Sequence, residues 1–243
     1  MKRVLKDQNI SVIDGYLGER EFGLFTEAVQ FTEYTPMHGK AWVKAYGVPG
    51  GPIFESALVV RGHKTTTPPT LGHVGRLMDR FTEPASPLAA LFQDGTTAED
   101  HYLTGRIVLF GRGAGLRWHA DASEQIGAYI YYCHPQWHTT WGGELMVMDG
   151  SSVLGQGLSA AETNSFRKAA TDSPGSVVGP DYECDGAETR RADIGTGRFV
   201  MAKPDRLVVL TGTAEHRVAP VTAAAGDHLR CAVTGFVVRK RAN

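Results

Sequence analysis

Apolar positions early in the chain recur at helical spacing, whereas later ones gather into short runs. In residues 18–30, Phe22, Phe25 and Val29 fall on one helical face, and in residues 71–81 Leu71, Val74, Met78 and Phe81 do the same. Pro68-Pro69 and Pro84 bound the second stretch, although Gly72 and Gly75 weaken its helix propensity. The short runs read as strands: Val12-Ile13-Asp14-Gly15, Ala41-Trp42-Val43-Lys44-Ala45-Tyr46, Ser56-Ala57-Leu58-Val59-Val60 and Ile107-Val108-Leu109-Phe110. The pattern predicts a sheet with two helices packed on its outside, and no internal repeat interrupts it.

After Phe110, the glycines at 111, 113 and 115 mark a bend before Leu116-Arg117-Trp118-His119. Side chains two apart on a strand share a face, so His119 and Asp121 point the same way if that segment is extended. With His216 far downstream they supply two imidazoles and one carboxylate. Such a facial set leaves the opposite face of an octahedron open, which suits non-haem Fe(II) that binds a chelating cosubstrate and O₂. The alternative reading of the triplet by itself is a surface histidine beside a turn aspartate.

Four blocks in order extend the pattern. They are the strand, bend and His119-Ala120-Asp121; Ala128-Tyr129-Ile130-Tyr131-Tyr132 with Pro135-Gln136-Trp137 and Trp141-Gly142-Gly143-Glu144-Leu145; Asp205-Arg206-Leu207-Val208-Val209-Leu210 leading to His216 and Val218-Ala219-Pro220-Val221; and Arg230-Cys231-Ala232-Val233-Thr234-Gly235-Phe236. Together, residues 104–238 resemble the Fe(II)/2-oxoglutarate-dependent oxygenases, in particular their prolyl 4-hydroxylase-like branch. The resemblance implies a mainly β protein, a double-stranded β-helix (jelly-roll) barrel with N-terminal buttressing helices, in a single domain over residues 1–243. It implies His119, Asp121 and His216 as iron ligands, with Fe(II) and 2-oxoglutarate as cofactors.

The distal carboxylate of 2-oxoglutarate wants a buried cation. Arg230 meets that need, because a guanidinium pairs a carboxylate bidentately and stays charged when desolvated. Relatives often add a tyrosine hydroxyl from the strand after the triplet, where Tyr132 stands; Tyr129 and Tyr131 should face the other side. Thr234 shares a strand face with Arg230 and offers a further hydroxyl. Ala232 departs from relatives that place a serine there, and residues 222–227 form a longer hairpin than many relatives have. His134 and His138 are rival ligands or substrate-mouth residues on a turn made by Pro135.

What the resemblance implies for activity is decarboxylation of 2-oxoglutarate to succinate, coupled through O₂ to oxidation of a substrate C–H bond. Family halogenases replace the carboxylate ligand with a small residue. Asp121 is present, so hydroxylation, desaturation or oxidative cyclisation is expected. Arginines outnumber lysines 17 to 8, a bias of GC-rich genomes, in which a compact oxygenase often serves antibiotic or other natural-product biosynthesis. A small-molecule substrate is the first expectation. A peptide or protein side chain is the second, with a non-oxygenase metal barrel and a plain binding module as rivals.

A chain of 243 residues with 42% hydrophobic content can bury one sizeable core. The net charge of −1 lacks the basic footprint of a nucleic-acid binder. No run approaches the length of a membrane-spanning helix, and the N-terminus runs into charge rather than a signal core. Cys133, Cys184 and Cys231 form no paired motif, so a reducing, cytoplasmic setting is expected, with the oligomeric state left open. Residues 151–197 are rich in Gly, Ser, Asp and Thr, with a capping-box pattern at Ser159-Ala160-Ala161-Glu162. Long loops that interrupt a barrel are usually functional, and a substrate-covering lid is expected there.

Overall fold

A computed structural model of the chain describes residues 1–7, 9–37, 50–62, 67–83, 85–92, 100–121, 125–149, 195–212 and 214–240. The strand expected at Ala41–Tyr46 and, but for its last three residues, the expected lid lie outside the described residues.

The chain opens with β1 (Lys2–Lys6) and β2 (Ile10–Asp14), then α1 (Glu19–Gln30) and the short β3 (Thr35–Pro36). Next come β4 (Ile53–Glu55), β5 (Val59–Arg61) and α2 (Gly72–Phe81). The central strands are β6 (His101–Phe110), β7 (Leu116–His119), β8 (Gln125–Tyr132) and β9 (Leu145–Met148). The last are β10 (Gly197–Val200), β11 (Arg206–Thr211), β12 (His216–Val218) and β13 (Arg230–Arg239).

Nine strands form the large sheet, ordered β1-β2-β11-β8-β13-β6-β4-β3 with β5 also on β6, and β10-β9-β12-β7 form the small one. These two antiparallel sheets face each other as a jelly roll. Alternation along each strand sorts the side chains. Val208 and Leu210 of β11, and Ala128, Ile130 and Tyr132 of β8, point into the core between the sheets with Leu145, Val147 and Val218. Their neighbours Leu207, Val209, Tyr129 and Tyr131 point out, against Phe25 and Val29 of α1 and Val74, Leu77, Met78 and Phe81 of α2. Both helices therefore buttress the large sheet as the periodicity predicts.

Two strand boundaries differ from the sequence reading. The strand expected at Ser56–Val60 is broken, because β4 and β5 pair separate stretches of β6. At the break, Ser56 donates its N–H to the Ile107 carbonyl and accepts the Ile107 N–H on Oγ. β6 itself begins at His101 rather than Ile107. Among the described residues no helix is long and apolar enough to cross a membrane.

Asp205 ties the first helix to the barrel. It adopts φ 55°, a left-handed conformation that aspartate tolerates better than most residues. Its carboxylate accepts hydrogen bonds from the Leu17 and Gly18 N–H groups, each at 2.8 Å, and from the Tyr131 hydroxyl at 2.9 Å. Hydrogen bonds to a charged group are worth about 1.5–3 kcal/mol each. Asp205→Ala is therefore expected to cost about 3 kcal/mol or more, measured by urea unfolding, with Asp205→Asn costing less.

Candidate metal centre

The bend after β6 carries the chain from the large sheet to the small one. Gly113 takes φ 83° and donates its N–H to the Val221 carbonyl, a conformation that costs other L-residues about 1–2 kcal/mol. β7 then pairs with β12 so that His119 stands directly opposite His216. This register sets the two imidazoles side by side, with ring centroids 4.4 Å apart. Asp121 lies two residues past His119, beyond the end of β7. One ligand atom from each of His119, Asp121 and His216 lies within 4.8 Å of the others.

The protonation of the group follows from its contacts. Nδ1 of His119 faces the Arg117 carbonyl at 2.7 Å and Nδ1 of His216 faces the Ala214 carbonyl at 2.8 Å. Each Nδ1 carries the proton, which leaves the lone pair on Nε2. Burial, with His216 adding to it, pulls the His119 imidazole down to about 4, and burial pulls His216 in the same direction. Burial pushes the Asp121 carboxyl up to about 6, with His119 opposing. Both Asp121 oxygens are buried without a hydrogen-bond partner among the described residues. Neutral imidazoles and a carboxylate stripped of partners are the donor set of a divalent cation, and an orphaned buried carboxylate is costly without one. The residues fit an iron centre.

Arg230 opens β13 opposite Phe110 of β6 and is 1% exposed. Its Nε donates to the Gly143 carbonyl at 2.8 Å and Nη2 to the Tyr132 hydroxyl at 3.3 Å, while the guanidinium lies over the Tyr132 and Phe110 rings. Among the described residues Nη1 is buried with no partner, and no carboxylate pairs with Arg230. Tyr132 is fully buried and meets the site through Arg230. Thr234 lies on the same cavity wall, four residues further along and paired with Arg106.

The Gly143 position matters to that arginine. At φ 73° its missing Cβ would sit 2.7 Å from Arg230 Cδ. Gly143→Ala is expected to displace the Arg230 side chain, besides costing about 1–2 kcal/mol of stability for the left-handed backbone; a melting curve checks the cost.

His119, Asp121, His216, Arg230 and Thr234 line one cavity of about 820 Å³ between the sheets. His134 and His138 are absent from its walls and from the His-Asp-His group. His134 packs against Tyr132 and Trp137, and His138 against Trp141. His134 is pulled down to about 3 by burial and by the Arg230 charge, so it stays neutral. Cys133 and Cys231, free and buried, bring their sulfurs to 3.1 Å on adjacent strands, a proximity that their spacing in sequence did not reveal.

A jelly roll whose cavity brings two imidazoles and a carboxylate together offers the donor set of a mononuclear non-haem metal centre. The sequence profile of the 2OG-Fe(II) oxygenase superfamily matches residues 105–238, more than half of the chain, and the chain belongs to that superfamily. It is a 2-oxoglutarate-dependent dioxygenase that uses Fe(II), 2-oxoglutarate and O₂.

Solved structures share the fold. A prolyl-4-hydroxylase from Pseudomonas putida is 15% identical, with a TM-score of 0.53 over 96% of this chain and 94% of that one. A prolyl hydroxylase from Trichoplax adhaerens, in complex with a hypoxia inducible factor peptide fragment, is 14% identical, with a TM-score of 0.55 over 95% and 84%. HygX from Streptomyces hygroscopicus, with nickel, 2-oxoglutarate and hygromycin B bound, is 11% identical, with a TM-score of 0.55 over 96% and 83%. No curated protein sequence matches the chain significantly.

Proposed function

We propose that the enzyme oxidises a small molecule at a C–H bond, by hydroxylation or by desaturation or oxidative cyclisation, in antibiotic or other natural-product biosynthesis. In this reading His119, Asp121 and His216 hold Fe(II). Arg230, braced by Tyr132, holds the distal carboxylate of 2-oxoglutarate, and Thr234, four residues along the same strand, offers its hydroxyl further down the same wall. The bound metal and cosubstrate supply the oxidising chemistry. The protein's own groups fix its geometry: the Arg117 and Ala214 backbone carbonyls orient the two imidazoles, and the Gly143 carbonyl and Tyr132 hydroxyl aim Arg230.

One observation carries the assignment. Two buried groups of opposite charge, the Asp121 carboxylate and Arg230 Nη1, lack partners among the described residues at one cavity. The first calls for a cation and the second for a carboxylate, and an Fe(II)–2-oxoglutarate pair answers both. Among enzymes of similar fold, one binds hygromycin B and one a peptide fragment. A cavity of about 820 Å³ falls within the range that suits small ligands and favours the former kind of substrate. A reducing, cytoplasmic location suits both Fe(II) and the adjacent thiols of Cys133 and Cys231.

Anaerobic addition of Fe(II) and 2-oxoglutarate to the metal-free protein tests the reading. A visible metal-to-ligand charge-transfer band is expected in the wild type, and its absence rejects the assigned site.

A further inference from the structure

The cavity extends well past the metal group. Along the β13–β6 ladder Arg230 pairs with Phe110, Thr234 with Arg106, Phe236 with Thr104 and Val238 with Tyr102. All of these line the same space, so the ladder is a ruler through it. Arg106 lies four residues from the Arg230 level, about 13 Å at the strand rise, beyond the span of a five-carbon diacid. A side chain rooted there stands past a 2-oxoglutarate held at Arg230, on the part of the wall left for a substrate.

The charges on the wall are one-sided. Among the described residues lining the cavity, Arg106, Arg230, Arg239 and Lys240 are cationic and Asp121 is the only acid, while Glu55, outside the lining, pairs with Arg106. Fe(II) and the 2-oxoglutarate dianion cancel each other when both are bound, so the bias survives loading. The chain as a whole carries −1. A cationic cavity in a near-neutral protein concentrates anions, because low-dielectric walls focus the field.

Arg106 has donors to spare. Its guanidinium is partly exposed, and Nη1 pairs with Glu55 at the edge of β4. A guanidinium carries five N–H donors, and Nε and Nη2 make no hydrogen bond to the described residues. Glu55 thus holds the arginine on the cavity wall and leaves the rest of its fork open.

We infer that Arg106 anchors a carboxylate of the substrate, which makes the enzyme's substrate a small organic acid. This rests on the 2-oxoglutarate reading above and names the substrate class for the same site. The planar fork meets the acid group while the apolar wall of Leu116, Val108 and Ile130 takes the remainder of the molecule toward the metal.

The test uses the full chain loaded with Ni(II) and 2-oxoglutarate, which prevents turnover, and a matched pair of probes, phenylacetate and phenylacetamide, followed by calorimetry. Phenylacetate is expected to bind at least tenfold more tightly than its neutral isostere, because only the acid forms a charge-assisted pair. Arg106→Gln is expected to erase that preference, and Arg106→Lys to keep part of it. Glu55→Gln removes the competing carboxylate and is expected to raise phenylacetate affinity severalfold, a gain that a merely structural ion pair would not produce. The anaerobic Fe(II)–2-oxoglutarate band, recorded on each variant, reports whether the metal site is intact. If wild-type protein fails to form that band, the cosubstrate reading falls. If the band forms but acid and amide bind alike, if phenylacetate does not bind at millimolar concentration, or if Arg106→Gln keeps the preference, the carboxylate anchor is overturned and the cosubstrate reading stands.

Discussion

Replacing His119, Asp121 or His216 with alanine is expected to abolish turnover and to strip iron from the purified protein. Three side chains supply every protein ligand in the proposed site, and each loss both weakens the metal and opens a further coordination position. Iron stoichiometry and succinate formation check it, and wild-type turnover in any one variant means the triad is misassigned. Metal-free protein offers a second readout. Its folded state holds the Asp121 carboxylate buried without a partner among the described residues, so Asp121→Asn is expected to raise the melting temperature of the apo form. Burial lifts the folded carboxyl from 3.8 to about 6, so the wild-type penalty is fully present above pH 6. It fades as the pH falls towards 3.8, and the advantage of Asp121→Asn fades with it.

Arg230→Leu is expected to weaken 2-oxoglutarate binding about ten- to hundredfold, since a charge-assisted carboxylate pair is worth about 1.5–3 kcal/mol. The apo fold should suffer little. Arg230 is buried with Nη1 unpartnered, so removing its charge also removes a desolvation cost, which offsets the lost bonds to Gly143 and Tyr132. Tyr132→Phe leaves the guanidinium in place and is expected to have a smaller effect of the same kind. The anaerobic charge-transfer band, titrated with 2-oxoglutarate, measures both variants. Unchanged affinity in Arg230→Leu rejects the anchor.

Several elements could be read before any coordinates. The stripes Phe25–Val29 and Val74–Met78–Phe81 announced two amphipathic helices, and both bury those residues against the large sheet. Strand alternation correctly separated Tyr132, turned inward, from Tyr129 and Tyr131, turned outward. The His119–Asp121 spacing and the downstream His216 marked a metal group whose three members do converge. Arg106 was not legible in the same way, because it lies just before the apolar run Ile107–Phe110 and carries no strand signal of its own. Once β6 starts at His101, Arg106 is in phase with Val108 and Phe110 and faces the cavity.

The sequence by itself determined the periods, the turn glycines and the types of donor, because these depend on local backbone geometry and side-chain chemistry. It therefore specified a β barrel with two outer helices and nominated its ligands. Only the tertiary structure decided which distant residues meet. The register that sets His216 opposite His119, the Gly143 carbonyl that aims Arg230, and the Glu55 carboxylate that holds Arg106 all join residues far apart in the chain. Such pairings are fixed by the burial of whole strand faces, since a slip of one residue turns every side chain to the opposite side. No local pattern encodes that choice.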